Sequence, residues 1–123
     1  MKGVLSVDDE PAMGGYYKRF IEDNFDAVFF SAETSEDAED ILTDEPVIDT
    51  VISDIIRPGR DGLDFAQYIH NKYPDISIFI VSGYVNPIKG KLEELLRRGV
   101  IKGFLQKPFE ISVFVNMLAS LKR

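Results

Sequence analysis

The chain has no cysteine, which excludes disulfides, thiolate metal sites and cysteine nucleophiles. Its one histidine, His70, has no second imidazole or thiol to share a metal with, and is expected on a solvated helix face. Long hydrophobic runs are missing as well: Ala27 to Phe30 and Ile78 to Val81, the longest, hold four residues each. A bilayer span needs roughly 20 apolar residues, and a secretory signal also needs a longer run than these. No membrane contact and a cytoplasmic location are therefore expected. Bases are scarce, with 14 Lys and Arg against 21 Asp and Glu and a net charge of −7. Phosphate backbones are bound by clustered cations, so direct contact with nucleic acid is not expected. The glycine fingerprint of dinucleotide sites is absent. Gly83 to Lys91 fails as a phosphate loop, because six residues separate Gly83 from Gly90 and Leu92 stands where a Ser or Thr is required.

What is present suits one domain spanning residues 1–123, of which 45% are hydrophobic, enough for a single core. The charge is uneven. Residues 1–54 carry 15 acids and three bases, and residues 55–123 carry six acids and 11 bases, balances of −12 and +5. Such asymmetry points to a specialised site or to distinct partner surfaces.

Short apolar runs alternate with amphipathic stretches. Val4–Val7, Ala27–Phe30, Val47–Ser53, Ile76–Val81 and a run through Phe104 and Leu105 read as strands. Between them lie helical patterns: Met13, Tyr17, Phe20 and Ile21; Ala38, Ile41 and Leu42; Leu63, Ala66 and Ile69; Ile88, Leu92, Leu95 and Leu96; and Ile111, Phe114, Leu118 and Leu121. Pro11 suits a first helical turn. Thr34 with Asp37 reads as a capping pair, Pro58, Gly59 and Gly62 as a turn, and Asn86-Pro87 as N-cap and first residue of the fourth helix. Strands alternating with helices predict a three-layer α/β fold, a doubly wound parallel sheet of five strands with helices on both faces.

Polar residues stand at the carboxyl ends of these strands: Asp8 and Asp9, Asp54, Ser82 and Lys107. In open parallel sheets that edge is where ligands bind. Three converging carboxylates repel one another unless a cation compensates. An all-oxygen donor set favours Mg²⁺, while a lysine and a hydroxyl suit phosphoryl oxygens. The constellation points to a carboxylate nucleophile that accepts a phosphoryl group. Taken alone, Asp8-Asp9-Glu10 is an ordinary acidic helix start, Ser82 a turn residue and Phe104 a core residue; position promotes them.

The segments Val-Leu-Ser-Val-Asp-Asp-Glu-Pro (4–11), Ser-Asp-Ile-Ile-Arg-Pro-Gly-Arg-Asp-Gly (53–62), Val-Ser-Gly (81–83) and Gly-Phe-Leu-Gln-Lys-Pro-Phe (103–109) resemble the receiver domain of two-component response regulators. The resemblance covers essentially the whole chain and implies a (βα)5 sheet of strand order 2-1-3-4-5. It implies that Asp54 is the phosphoacceptor, supplied by a histidine kinase or phosphotransfer protein. Asp8, Asp9, Asp54 and the backbone carbonyl of Ile56 would hold Mg²⁺. Ser82 and Lys107 would bind the phosphoryl group, with a cis bond before Pro108. Ser82 and Phe104 would form the switch that reports on the fourth helix, fifth strand and fifth helix, a surface for a homodimer or an effector domain.

The sequence departs from the family pattern in places. Arg57 and Arg60 stand where Met is common, and Phe104 where Tyr is common. Gly99 to Gly103 is one residue longer than usual. Ile56 and Tyr84, two residues past Asp54 and Ser82, are expected to hinder water attacking the phosphoryl group. The chain reads as a phosphoacceptor that assists its own transfer and dephosphorylation, not as an enzyme acting on a free substrate. Two alternatives stay open: a degenerate receiver serving only as an interaction module, and a Mg²⁺-dependent phosphohydrolase. Retention of all five site residues speaks against the first, and Ile56 supplies no second acid or base for the other. The last helix is expected to run to Arg123 with no linker or effector after it.

Overall fold

The computed structural model describes residues 1–55 and 62–120. Among them, ten elements alternate: β1 (Gly3–Val7), α1 (Pro11–Asn24), β2 (Val28–Ala32), α2 (Ser35–Asp44), β3 (Ile48–Asp54), α3 (Gly62–Lys72), β4 (Ser77–Ser82), α4 (Val85–Arg97), β5 (Gly103–Gln106) and α5 (Ile111–Ala119). All strand pairs are parallel and the order is β2-β1-β3-β4-β5, the expected doubly wound sheet. Parallel neighbours require crossovers, which α1 to α4 supply, while α5 follows the last strand. No helix among the described residues is long and apolar enough to cross a membrane.

Side chains alternate across the sheet with period two. Leu5, Val7, Val51, Ile78 and Ile80 face α2, α3 and α4, packing on Ala38, Leu42, Phe65, Ile69 and Leu92. Val4, Ile52, Phe79 and Val81 face α1 and α5, packing on Tyr17, Ile21, Phe114 and Leu118. Each fully buried side chain of this size contributes about 1.5–3 kcal/mol relative to exposure, so the central strands β1, β3 and β4 anchor the core.

Local signals act as read at two helix starts. Pro11 is the first residue of α1, and Thr34 Oγ1 accepts from the Asp37 N–H at 3.1 Å. Others need correction. β2 begins and ends later than Ala27–Phe30, because its ladder partners on β1 extend to Val7, opposite Ala32. The fourth helix begins at Val85, with Tyr84 as its cap, not at Asn86-Pro87. Pro87 still lies in the first turn, where amide hydrogens have no intrahelical partner. Leu96 and Ile111 are 41% and 43% exposed rather than buried. Phe65, absent from the expected core, is fully buried. Gly99, at φ +75°, ends α4: its N–H donates to the Leu96 carbonyl and that of Val100 to the Leu95 carbonyl. That pair of bonds is the Schellman arrangement, and it turns the longer Gly99–Gly103 segment directly into β5. The expected turn at Pro58 and Gly59, and Leu121, lie outside the described residues.

Candidate functional site

β1 and β3, the two most enclosed strands, deliver one carboxylate each to the sheet's carboxyl edge. Asp8 is 3% exposed and Asp54 7%. The Asp8 backbone N–H still donates to Ala32 on β2 at 3.0 Å, and its Oδ1 accepts from the Glu10 N–H at 3.0 Å. That local turn starts the chain toward α1 and leaves Asp9 on the exposed rim. Close packing behind Asp54 depends on glycine: a Cβ on Gly62 would lie 2.5 Å from Ile55 Cα and 2.9 Å from the Asp54 carbonyl oxygen.

One carboxylate oxygen from each of Asp8, Asp9 and Asp54 lies within 4.8 Å of the others. The donors are all hard oxygens, two are recessed and one opens to solvent. That set fits a divalent cation such as Mg²⁺, which keeps several waters, and offers nothing to favour zinc.

Lys107, from the residue after β5, spans the two recessed carboxylates. Its Nζ lies 2.8 Å from Asp8 Oδ2 and 3.2 Å from Asp54 Oδ2. Burial disfavours the ammonium, but its hydrogen bond to Asp8 and the charges of Asp54 and Asp8 outweigh that, holding Lys107 above the usual lysine range. The Lys107–Pro108 peptide is cis.

The hydroxyl side is arranged differently. Ser82 is fully buried, yet its Oγ accepts from the Tyr84 N–H at 3.0 Å. Its carbonyl accepts from the Lys107 N–H at 2.8 Å. Phe104 is half-buried and packs on the core beneath α4. Tyr84 is 64% exposed. The structure thus gathers Asp8, Asp9, Asp54 and Lys107 side chain to side chain. Ser82 joins through its backbone, and Phe104 lies beside Ile80 of β4 on the α4 side of the sheet. Ile56, Arg57 and Arg60 lie outside the described residues.

Tyr17 escaped notice as anything but core. Its ring stacks on Phe114 with centroids 5.4 Å apart, and its buried hydroxyl has no hydrogen-bond partner among the described residues. Burial, then the negative charges of Asp8 and Asp54, push that phenol well above its ordinary range, so it stays neutral. A hydroxyl on an otherwise apolar helix face was the available signal.

Known proteins resemble this chain over the same span. The probable C4-dicarboxylate response regulator DctR of Halalkalibacterium halodurans is 30% identical over 106 residues, 86% of this chain and 45% of that protein. The transcriptional regulatory protein MalR of Bacillus subtilis is 31% identical over 127 residues, 100% of this chain and 51% of that protein. The chain therefore spans about half the length of these curated relatives. A response regulator receiver domain protein from Clostridium thermocellum has the same fold, with a TM-score of 0.84 at 21% identity, covering 98% of this chain and 93% of that one. Residues 4–119 match the family model for the response regulator receiver domain, and the chain belongs to that family.

Proposed function

We propose that this receiver domain accepts a phosphoryl group on Asp54 from the phosphohistidine of a kinase or phosphotransfer protein, with Mg²⁺ bound beside it. The observation that carries the reading is the Asp8–Lys107–Asp54 bridge next to Asp9, because a recessed carboxylate, an open acidic rim and an ammonium lie in one place. An oxygen of Asp54 attacks phosphorus as the phosphorus–nitrogen bond breaks, and the imidazole nitrogen takes that electron pair. Asp8, Asp9 and Asp54, with the carbonyl of Ile56 as the family resemblance implies, would hold Mg²⁺, which would supply positive charge to offset that gathered by carboxylates and phosphoryl oxygens. Lys107 pairs with a phosphoryl oxygen in place of the Asp54 oxygen that it now touches. Ser82 gives up the Tyr84 amide and donates its hydroxyl to another phosphoryl oxygen. Phe104 shifts with it, changing the surface of α4, β5 and α5 for an effector domain or a second copy. Coupling of about 1–3 kcal/mol would alter partner affinity 5- to 150-fold.

Acetyl phosphate with Mg²⁺ tests the reading by intact mass. A gain of one phosphoryl group that Asp54→Asn abolishes is expected. No adduct would leave an interaction module, and sustained release of phosphate over many turnovers would make the chain a phosphohydrolase.

A further inference from the structure

The two edges of the sheet carry opposite charge. From Phe20 to Ile56 the sequence contains no lysine, arginine or histidine, and this stretch builds the β2 edge with α2 over it. Asp37, Asp40 and Asp44, all exposed, recur at the i, i+3, i+7 spacing that aligns them along one side of α2. The helix ends in Asp44 and Glu45 with no base in its last turn. Negative charge at that terminus opposes the helix dipole, so these acids cost the helix some local stability.

The opposite edge is β5 with α4 beside it. Lys91 and Arg98 turn toward α3, lining a cleft with Leu63, Asp64 and Gln67. That leaves Lys89, Arg97 and Lys102 on the outer side, all exposed, with exposed Leu96 between them and Glu93 as the acid in the stripe. A two-fold contact through this same surface would set the bases of one copy against those of the other. The neighbouring helix offers them no counter-charge, since α5 has no charged residue from Ile111 to Ala119. Among the described residues, α2 presents exposed acids in a row that suits those bases. Both helices cross from the carboxyl edge of the sheet to its amino edge, so the two stripes run in the same direction.

We propose that copies of this chain associate head to tail, the acidic α2–β2 edge of one against the basic α4–β5 edge of the next. Such a contact is heterologous and leaves a free edge at each end, so it propagates with concentration instead of stopping at a pair. It is rim-like electrostatics, hence sensitive to salt, whose screening length is about 10 Å at 0.1 M.

Sedimentation velocity over a concentration series, at about 20 mM and about 500 mM NaCl, tests this. Growth of average mass with concentration at low salt, reversed at high salt, is expected. Asp40→Lys with Asp44→Lys, and separately Lys89→Glu with Lys102→Glu, should each weaken association about tenfold or more. All four changes in one chain exchange the edges and should restore it. The Asp40/Asp44 variant should melt no lower than wild type, because it relieves the helix end, so lost association cannot be blamed on unfolding. A chain monomeric throughout the low-salt series would overturn the proposal. So would a dimer that ignores the α2 reversal, or a fourfold variant that stays dissociated.

Discussion

The carboxylate side and the hydroxyl side of the site are in different states of readiness. On one side, Lys107 already touches both recessed carboxylates, so charge is in place before any ligand arrives. On the other, Ser82 is committed to a neighbouring amide and Phe104 to the core under α4. The charged side is already assembled, whereas on the hydroxyl side Ser82 Oγ accepts the Tyr84 N–H and keeps its own hydrogen for another acceptor. Under the function proposed above, a phosphoryl group on Asp54 would draw that hydrogen and re-aim the hydroxyl, which would make Ser82 the movable half of the site.

The contrast is most directly broken at Lys107. Lys107→Met leaves Asp8 and Asp54 facing each other without an ammonium. Full burial of such a pair makes truncation cost about 3–5 kcal/mol. Lys107 keeps some solvent contact, so a loss of about 2–3 kcal/mol is expected in urea unfolding with EDTA. Added Mg²⁺ should recover part of it by binding at the two carboxylates. Ser82→Ala should cost stability no more than about 1 kcal/mol, the worth of one exchanged hydrogen bond, while slowing phosphoryl uptake about tenfold or more. If both variants lost equal stability, the distinction between the two sides would be gone. Tyr17→Phe has the smallest effect and the opposite sign. Removing a buried hydroxyl that has no partner among the described residues should raise stability by about 1 kcal/mol, read in the same titration; a loss would show that the hydroxyl is bonded in solution.

Legibility from the sequence followed the range of the forces involved. Asp8, Asp54 and Lys107 were readable because a strand run that stops at a charge places that charge at the sheet edge whatever the neighbours do. The strand order came from the family resemblance, and the layers from periodicity. Long-range contacts were less visible. β2 shifted toward Ala32 because pairing with β1, not its own apolar run, sets its limits. Asn86-Pro87 looked like a helix start, but the helix takes two earlier residues, one of them bonded to Ser82. Leu96 has the residue type of a core position and the angular position of an edge. The Ser82–Tyr84 bond and the lone hydroxyl of Tyr17 are tertiary facts that no single-residue signal encodes.

The 2.8 Å bond from the Lys107 amide to the Ser82 carbonyl bears on how the site tolerates mutation. It joins the two sides through main-chain atoms alone, so almost any side chain could occupy either position without cutting it. Proline is the substitution that would, for want of an amide hydrogen, and the native proline falls one residue later, at 108. The ammonium of Lys107 can therefore be lost or replaced while the joint survives. The chemistry of the site and the link across it are open to separate change.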